Sequence, residues 1–187
     1  DTEFQQVYLL PGADLSGYEA IGLSSCEIAF RKNWLRDQND SRLDLSSRVT
    51  QKDVDRIKDM LGEECNTQLR AALLEAPAYP LVDDFDNGEQ VLVLYPGIRD
   101  LEINAPATKS AGMDRSYTTT AGEMTLVLEL RDGTTGQVLG RVMDKRKDIH
   151  SGRMQWTSSV TNKAAADRIL KRWANMLREG LDTVTGK

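Results

Sequence analysis

His150 is the only histidine in the chain, in Asp148-Ile149-His150-Ser151. Beside Ser24, Ser25 or Ser151, an imidazole base could activate a hydroxyl for nucleophilic attack. None of these serines sits in a Gly-x-Ser-x-Gly elbow, because Gly22-Leu23-Ser24-Ser25-Cys26 lacks the second glycine where the turn needs it. An ordinary loop histidine is the simpler reading. Asp144 and Glu123 offer a different chemistry, general acid–base work by two carboxylates, provided the fold brings them to one substrate.

Asp83-Asp84-Phe85-Asp86-Asn87-Gly88 invites comparison with a calcium loop, in which alternating carboxylates reach one ion around a glycine turn. Anchored at Gly88, that frame puts Phe85 at a ligand position and finds no later glutamate to complete it, so a solvated turn is expected. One histidine and two cysteines 39 positions apart give no paired zinc spacing. Gly133, Gly136 and Gly140 fall in a hairpin and not at the start of a helix, where backbone amides would cradle a phosphate. The residues therefore assign no catalytic, cofactor-binding or metal-ligating position and imply no cofactor.

Arg141, Lys145, Arg146 and Lys147 form a basic group that could meet phosphate or an acidic partner. Asp144 and Asp148 offset part of that charge, and a solvated strand edge that resists aggregation is the expected role. Cys26 and Cys65 each fall on an apolar stripe and are expected to point into one interface. They are either a disulfide, in an oxidising compartment, or two small buried hydrophobes.

The elements that must position these residues follow from periodicity. Gln6 to Leu10 and Tyr18 to Phe30 read as strands, with Cys26, Ile28 and Phe30 in one phase and Glu27 in the other. Arg31 to Ser47 is polar around Trp34 and reads as a long connection that either packs through the indole or makes contacts. Thr50, three residues before Asp53, opens a helix to about Ala76, with Val54, Ile57, Leu61, Cys65, Leu69, Ala72 and Leu73 on one face and a stop at Pro77.

Glu89 to Asn104 reads as a strand bent at Tyr95-Pro96-Gly97, and Ala105 to Ser116 as a mobile loop. Met124 to Arg131 and Gln137 to Asp144 are hairpin arms around Asp132-Gly133-Thr134-Thr135-Gly136. Leu126, Leu128 and Leu130 share a face, and an apolar Val127 opposite them suggests a central strand covered at least partly on both sides. Asn162 to Thr183 closes the chain as a helix with Ile169, Leu170, Trp173, Met176, Leu177 and Leu181 in its stripe. Trp34 and Trp156 read as loop anchors.

This order predicts an α+β fold, a mostly antiparallel or mixed sheet with two long amphipathic helices on one face. The 187 residues fit one domain, 1–187, as the better prior. A hydrophobic share of 40% with 28% charged residues excludes disordered and collagen-like classes. A net charge of −5 argues against nucleic acid as the main partner. No run approaches the roughly 18 apolar residues of a membrane-crossing helix. The start at Asp1, without an initiator Met or a leader, reads as a mature or trimmed form with its signal peptide removed.

Several segments carry a resemblance: Val7-Tyr8-Leu9-Leu10-Pro11-Gly12-Ala13-Asp14-Leu15-Ser16-Gly17-Tyr18, Ala29-Phe30-Arg31-Lys32-Asn33-Trp34 and Ala121-Gly122-Glu123-Met124 before Thr125 to Arg131. Arg141-Val142-Met143-Asp144, Val160-Thr161-Asn162 and Arg172-Trp173-Ala174 complete the order. Together they resemble the bacterial lipoproteins grouped as domain-of-unknown-function family 3313, over residues 5–183. The resemblance implies a Gram-negative envelope protein, exported to the periplasm and tethered to the outer membrane through a cysteine that would precede Asp1. It carries over no catalytic residue. The resulting expectation is a non-catalytic binding or assembly component with an envelope protein or ligand as partner, the long polar loops making contacts, and self-association through a sheet edge as a further route to a homo-oligomer. The alternative is a hydrolase or transferase acting on an envelope substrate through His150, Asp144 or Glu123.

Overall fold

In the computed structural model these patterns become β1 (Gln6–Leu9), β2 (Ala20–Leu23), β3 (Glu27–Phe30), α1 (Trp34–Asp40), α2 (Gln51–Leu74), β4 (Leu81–Val82), β5 (Val91–Ile103), β6 (Tyr117–Thr118), β7 (Thr120–Asp132), β8 (Val138–Ile149), β9 (Gln155–Trp156) and α3 (Ser159–Thr185). The structure describes residues 3–40, 42–43, 45, 48–83, 85, 90–103, 117–118, 120–149, 155–156 and 159–186. For 117–118, 120–122, 148–149, 155–156 and 159–165 it describes the backbone alone.

The main sheet runs β1-β8-β7-β5-β2-β4, with β3 also paired to β5, and β6 and β9 form a separate pair. β1, β8, β7 and β5 each run antiparallel to the next, whereas β2 and β3 lie parallel to β5 and β4 parallel to β2. This is the mixed α+β layer that the pattern predicts. Leu92, Leu94 and Ile98 of β5, Leu126, Leu128 and Leu130 of β7 and Val142 of β8 form one core with the stripes of α2 and α3. The α2 stripe buries Val54, Leu61, Cys65, Leu69, Ala72 and Leu73. At its start the capping box closes: Thr50 Oγ1 accepts from the Asp53 N–H at 3.3 Å, and Asp53 Oδ2 accepts from the Thr50 N–H at 2.9 Å.

Several expectations need correction. The strand read from Tyr18 to Phe30 is two strands, because β2 pairs with β5 up to Leu94 and β3 resumes at Gly97, with Ser24 to Cys26 between them. That gap explains Pro96. The Leu94 carbonyl accepts from Ser24 N–H on the β2 side, so Pro96, two residues on, turns its missing donor toward the gap. β5 therefore continues through Tyr95-Pro96-Gly97, and its irregularity lies between Arg99 and Glu102, where Asp100 has φ 51°. The extra residue changes the phase, so that Ile98 and Leu101 both face the core.

The connection read from Arg31 to Ser47 contains α1. Trp34 is 1% exposed, stacks on Phe30 with ring centroids 4.2 Å apart, and donates Nε1–H to the Ile103 carbonyl at 2.9 Å. With Val49 and Val54 it makes a second small core. Of the two roles expected for this segment, packing through the indole is the one the geometry displays.

Of the turn expected from Asp83 to Gly88, only Asp83 and Phe85 are among the described residues, and Asp83 is exposed. The half-buried Phe85 covers Gly22 so closely that a Cβ there would meet the ring at 2.7 Å, and it stands edge-on to Tyr95. Val127, as expected, is at least partly covered and lies on the face opposite Leu128. It is half-buried on the outer face, away from the helices. The mobile loop expected at Ala105 to Ser116 lies outside the described residues.

Candidate functional site

The structure separates the two carboxylates singled out for acid–base work. Asp144 pairs with Leu126 on the helix-facing side and is 1% exposed. It accepts four hydrogen bonds: Oδ2 from Trp173 Nε1 at 2.6 Å and Arg146 Nε at 2.5 Å, and Oδ1 from the Gln5 N–H at 3.1 Å and Arg146 Nη2 at 3.3 Å. Such a filled carboxylate binds β1, β8 and α3 together and leaves no lone pair for a substrate. Glu123, three residues before Leu126, belongs to the opposite face with Lys147 as its cross-strand neighbour. The sheet lies between the two groups, so they cannot act on one substrate. His150 and Ser151 lie outside the described residues, as does the Trp156 side chain.

Cys26, just before β3, and Cys65, in the α2 stripe, stand with Cα atoms 6.2 Å apart and their sulfurs within bonding distance. Among the described residues no group of three or more His, Cys, Asp or Glu is placed to hold a metal ion.

Of the basic group, Arg141 lies between β7 and β1, whereas Lys145, Arg146 and Lys147 lie beyond the β1 ladder, which ends at Met143. Arg141, Lys145 and Lys147 are about half exposed and reach across to carboxylates of β7 on the outer face. Glu129 binds both Arg131, at 2.5 Å, and Arg141, while Glu123 binds both Lys145 and Lys147, the latter at 2.7 Å. Arg146 instead turns inward to Asp144. On the outer face, then, these charges pair side by side across the strands.

Both carboxylates are held below the ordinary range. For Glu129 the hydrogen bond from Arg131 dominates; for Glu123 burial pushes the other way and is outweighed by the bonds from Lys145 and Lys147. A lowered folded pKa adds stability above the unfolded value of about 4.3, and that stability disappears as the pH falls through the folded value. Thermal unfolding between pH 7 and pH 3 is therefore expected to show a midpoint that falls only in the acid limb, and Glu129→Gln is expected to flatten that fall. The same acid slope in both proteins would mean that the pair contributes nothing.

A positive feature lies at the other end of the sheet. β1 is the terminal strand, its four residues are all exposed, and among the described residues nothing pairs with its outer side. Register places Val7 and Leu9 opposite Val142 and Gly140, on the helix-facing side, and Tyr8 opposite Arg141 on the outer face. Gly140 is required here, since a Cβ would meet the Leu9 side chain at 2.9 Å and the Tyr8 carbonyl at 3.2 Å. Between β1 and the last turns of α3 opens a cavity of about 240 Å³, lined almost wholly by apolar groups that include Val7, Leu9, Leu15, Val142, Leu181 and Val184. Ligand clefts run from about 300 Å³ upward, so the space suits an apolar side chain better than a whole small molecule.

Of the ten large apolar side chains exposed among the described residues, four are consecutive along β1 and just after it, Val7, Tyr8, Leu9 and Leu10, and Val184 lines the cavity together with Val7 and Leu9. A concentrated apolar patch marks a contact surface, whereas scattered exposed residues do not. Periodicity finds β1 as a strand but cannot reveal that it is terminal. The legible signal is the stretch 4–13, which carries no Asp, Glu, Lys or Arg in a chain that is 28% charged.

No family model matches the chain, and no curated protein matches its sequence, so the family resemblance rests on the segments quoted above. Solved structures similar to it include a Xanthomonas campestris protein of domain-of-unknown-function family 330, at 14% identity and a TM-score of 0.48, covering 97% of this chain and 92% of that one. A candidate lipoprotein from Caulobacter crescentus is similar at 13% identity and a TM-score of 0.42, over 90% of this chain and 92% of that one. The chain is also similar to dodecameric PelC from Paraburkholderia phytofirmans, at 13% identity and a TM-score of 0.40, over 92% of this chain and 96% of that one.

Proposed function

We propose that the protein is a non-catalytic binding or assembly component of the bacterial cell envelope, working in the periplasm, tethered to the outer membrane through a lipid anchor upstream of Asp1 and holding Cys26 and Cys65 as a disulfide. The compartment and anchor follow from the family resemblance. The observation that carries the binding role is the open β1 edge beside its apolar cavity, an unpaired ladder with an apolar recess next to it. Strand addition at such an edge takes affinity from main-chain hydrogen bonds and selectivity from alternate side chains.

Leu9→Lys tests this reading, because it places a charge at the recess on a side chain that is already 52% exposed. The melting midpoint of the purified variant is expected to move by less than about 2 °C. Cross-linking in intact envelopes is expected to lose the adducts formed by the unsubstituted protein. Adducts undiminished by Leu9→Lys would remove the basis for a binding role at this edge.

A further inference from the structure

Resting on that binding role, we infer that the partner taken up by the β1 edge is a second copy of this chain, paired antiparallel about a two-fold axis at Tyr8. The main-chain donors of this edge fix the register. Leu10 donates its N–H to the Leu139 carbonyl, so Leu10 and, by alternation, Tyr8 and Gln6 turn their main-chain groups toward β8. Val7 and Leu9 then turn theirs away from the sheet. On one side of them the Gln5 N–H is already given to Asp144 Oδ1, and on the other Pro11 has no N–H to give. The open ladder is thus two residues long and centred on Tyr8.

A two-fold axis at Tyr8 sets Val7 against the second copy's Leu9, and Leu9 against its Val7. Each pair exchanges two hydrogen bonds, so all four outward-facing groups of each edge are used. Because cross-strand partners share a face, the second copy's Val7 and Leu9 extend the apolar helix-facing layer and close the open side of the recess near Val184. The two tyrosines meet on the outer face.

Charge favours a like copy here. Two chains of net charge −5 repel except where their surfaces are locally neutral, and residues 4–13 carry no Asp, Glu, Lys or Arg. The edge also lacks the lysine, inward-pointing charge or bulge that proteins use to prevent strand pairing. One short strand pair with flanking side chains falls below the roughly 1,200 Å² of a standard interface, so the dimer is expected to be reversible.

Sedimentation of the full chain is expected to show a monomer near about 1 μM and a doubled mass near about 1 mM, with Leu9→Lys monomeric throughout. Residue 8 faces its own copy at a site not joined by hydrogen bonds, where Cα atoms are about 4.5 Å apart and within disulfide reach. Mild oxidation is therefore expected to convert Tyr8→Cys into a covalent dimer. Gln6→Cys, opposite Leu10 of the second copy, is expected to stay monomeric, and both variants are checked for an unchanged melting midpoint. A monomeric unsubstituted chain at about 1 mM, or equal cross-linking of Gln6→Cys and Tyr8→Cys, overturns the second copy as partner. If Leu9→Lys still loses its envelope adducts in that case, the binding role stands with a different occupant; if it keeps them, both readings fall.

Discussion

Arg178→Met is expected to lower the unfolding free energy by about 3–5 kcal/mol, the usual cost of removing one member of a buried charged network. α2 ends at Leu74 with Glu75 in extended conformation, so its last carbonyls lack the glycine-based cap that would turn amides back onto them. Arg178, 7% exposed on α3, takes that place. Its Nη1 donates to the carbonyls of Ala72 at 3.1 Å and Glu75 at 2.8 Å, and its Nη2 to Pro77 at 2.6 Å. Nε donates to both carboxylate oxygens of Asp182, and the guanidinium lies 4.9 Å from the centre of the Tyr79 ring. The Tyr79 hydroxyl donates in turn to Asp182 Oδ1 at 2.8 Å, and burial pushes its pKa above the ordinary range.

Methionine fills similar volume but removes the guanidinium donors from three carbonyls and leaves the Asp182 carboxylate with the Tyr79 hydroxyl and no cation. Denaturant titration is expected to show a lower midpoint with an unchanged slope. Arg178→Lys should recover only part of the loss, because a point charge cannot reach several acceptors in one plane. A loss below about 1 kcal/mol for methionine would place Arg178 with surface residues of little consequence.

How much of this was readable beforehand depends on sequence distance. The capping box of Thr50 and Asp53 and the apolar stripe from Val54 to Leu73 are local, and so is the reversal after Asp132, whose carboxylate accepts from the amides of Thr134 and Thr135. Spacing alone identifies them. α1 is only seven residues long and rich in Asn, Asp and Arg, too short for periodicity to register, and it exists because Trp34 is buried against Phe30 and Ile103.

The candidate site was less legible still. That Gln6 to Leu9 forms a strand is local, but that it is terminal depends on pairing with residues 140–143, far along the chain. Asp144 shows the same limit from the other direction. Its residue type suggested chemistry, and only the convergence of Gln5, Arg146 and Trp173 reveals a structural carboxylate. The phase change at Asp100 likewise belongs to the ladder between β5 and β7, and nothing in the local alternation marks it.

Replacing Cys26 and Cys65 together by alanine is expected to cost about 4 kcal/mol if the two are bonded, from the loop entropy that a link across 39 positions removes from the unfolded chain. The enclosed segment includes β3, α1 and half of α2, so the bond holds the start of β3 against the middle of a helix that is otherwise fixed by packing. Packing there is already close: the Cys26 N–H donates to Asn66 Oδ1 at 3.1 Å, and a Cβ on Gly62 would lie 3.1 Å from the Cys26 carbonyl. Little native distortion is therefore expected on removing the link, and the effect should come through the unfolded state. For a chain of this size the melting midpoint should fall by about 8–16 °C, and reductant should lower the unsubstituted protein to the same value. Such a response fits the oxidising periplasm of the proposed function, where a link of this kind persists. An unchanged midpoint in reductant would leave Cys26 and Cys65 as two small buried hydrophobes and overturn the proposed disulfide.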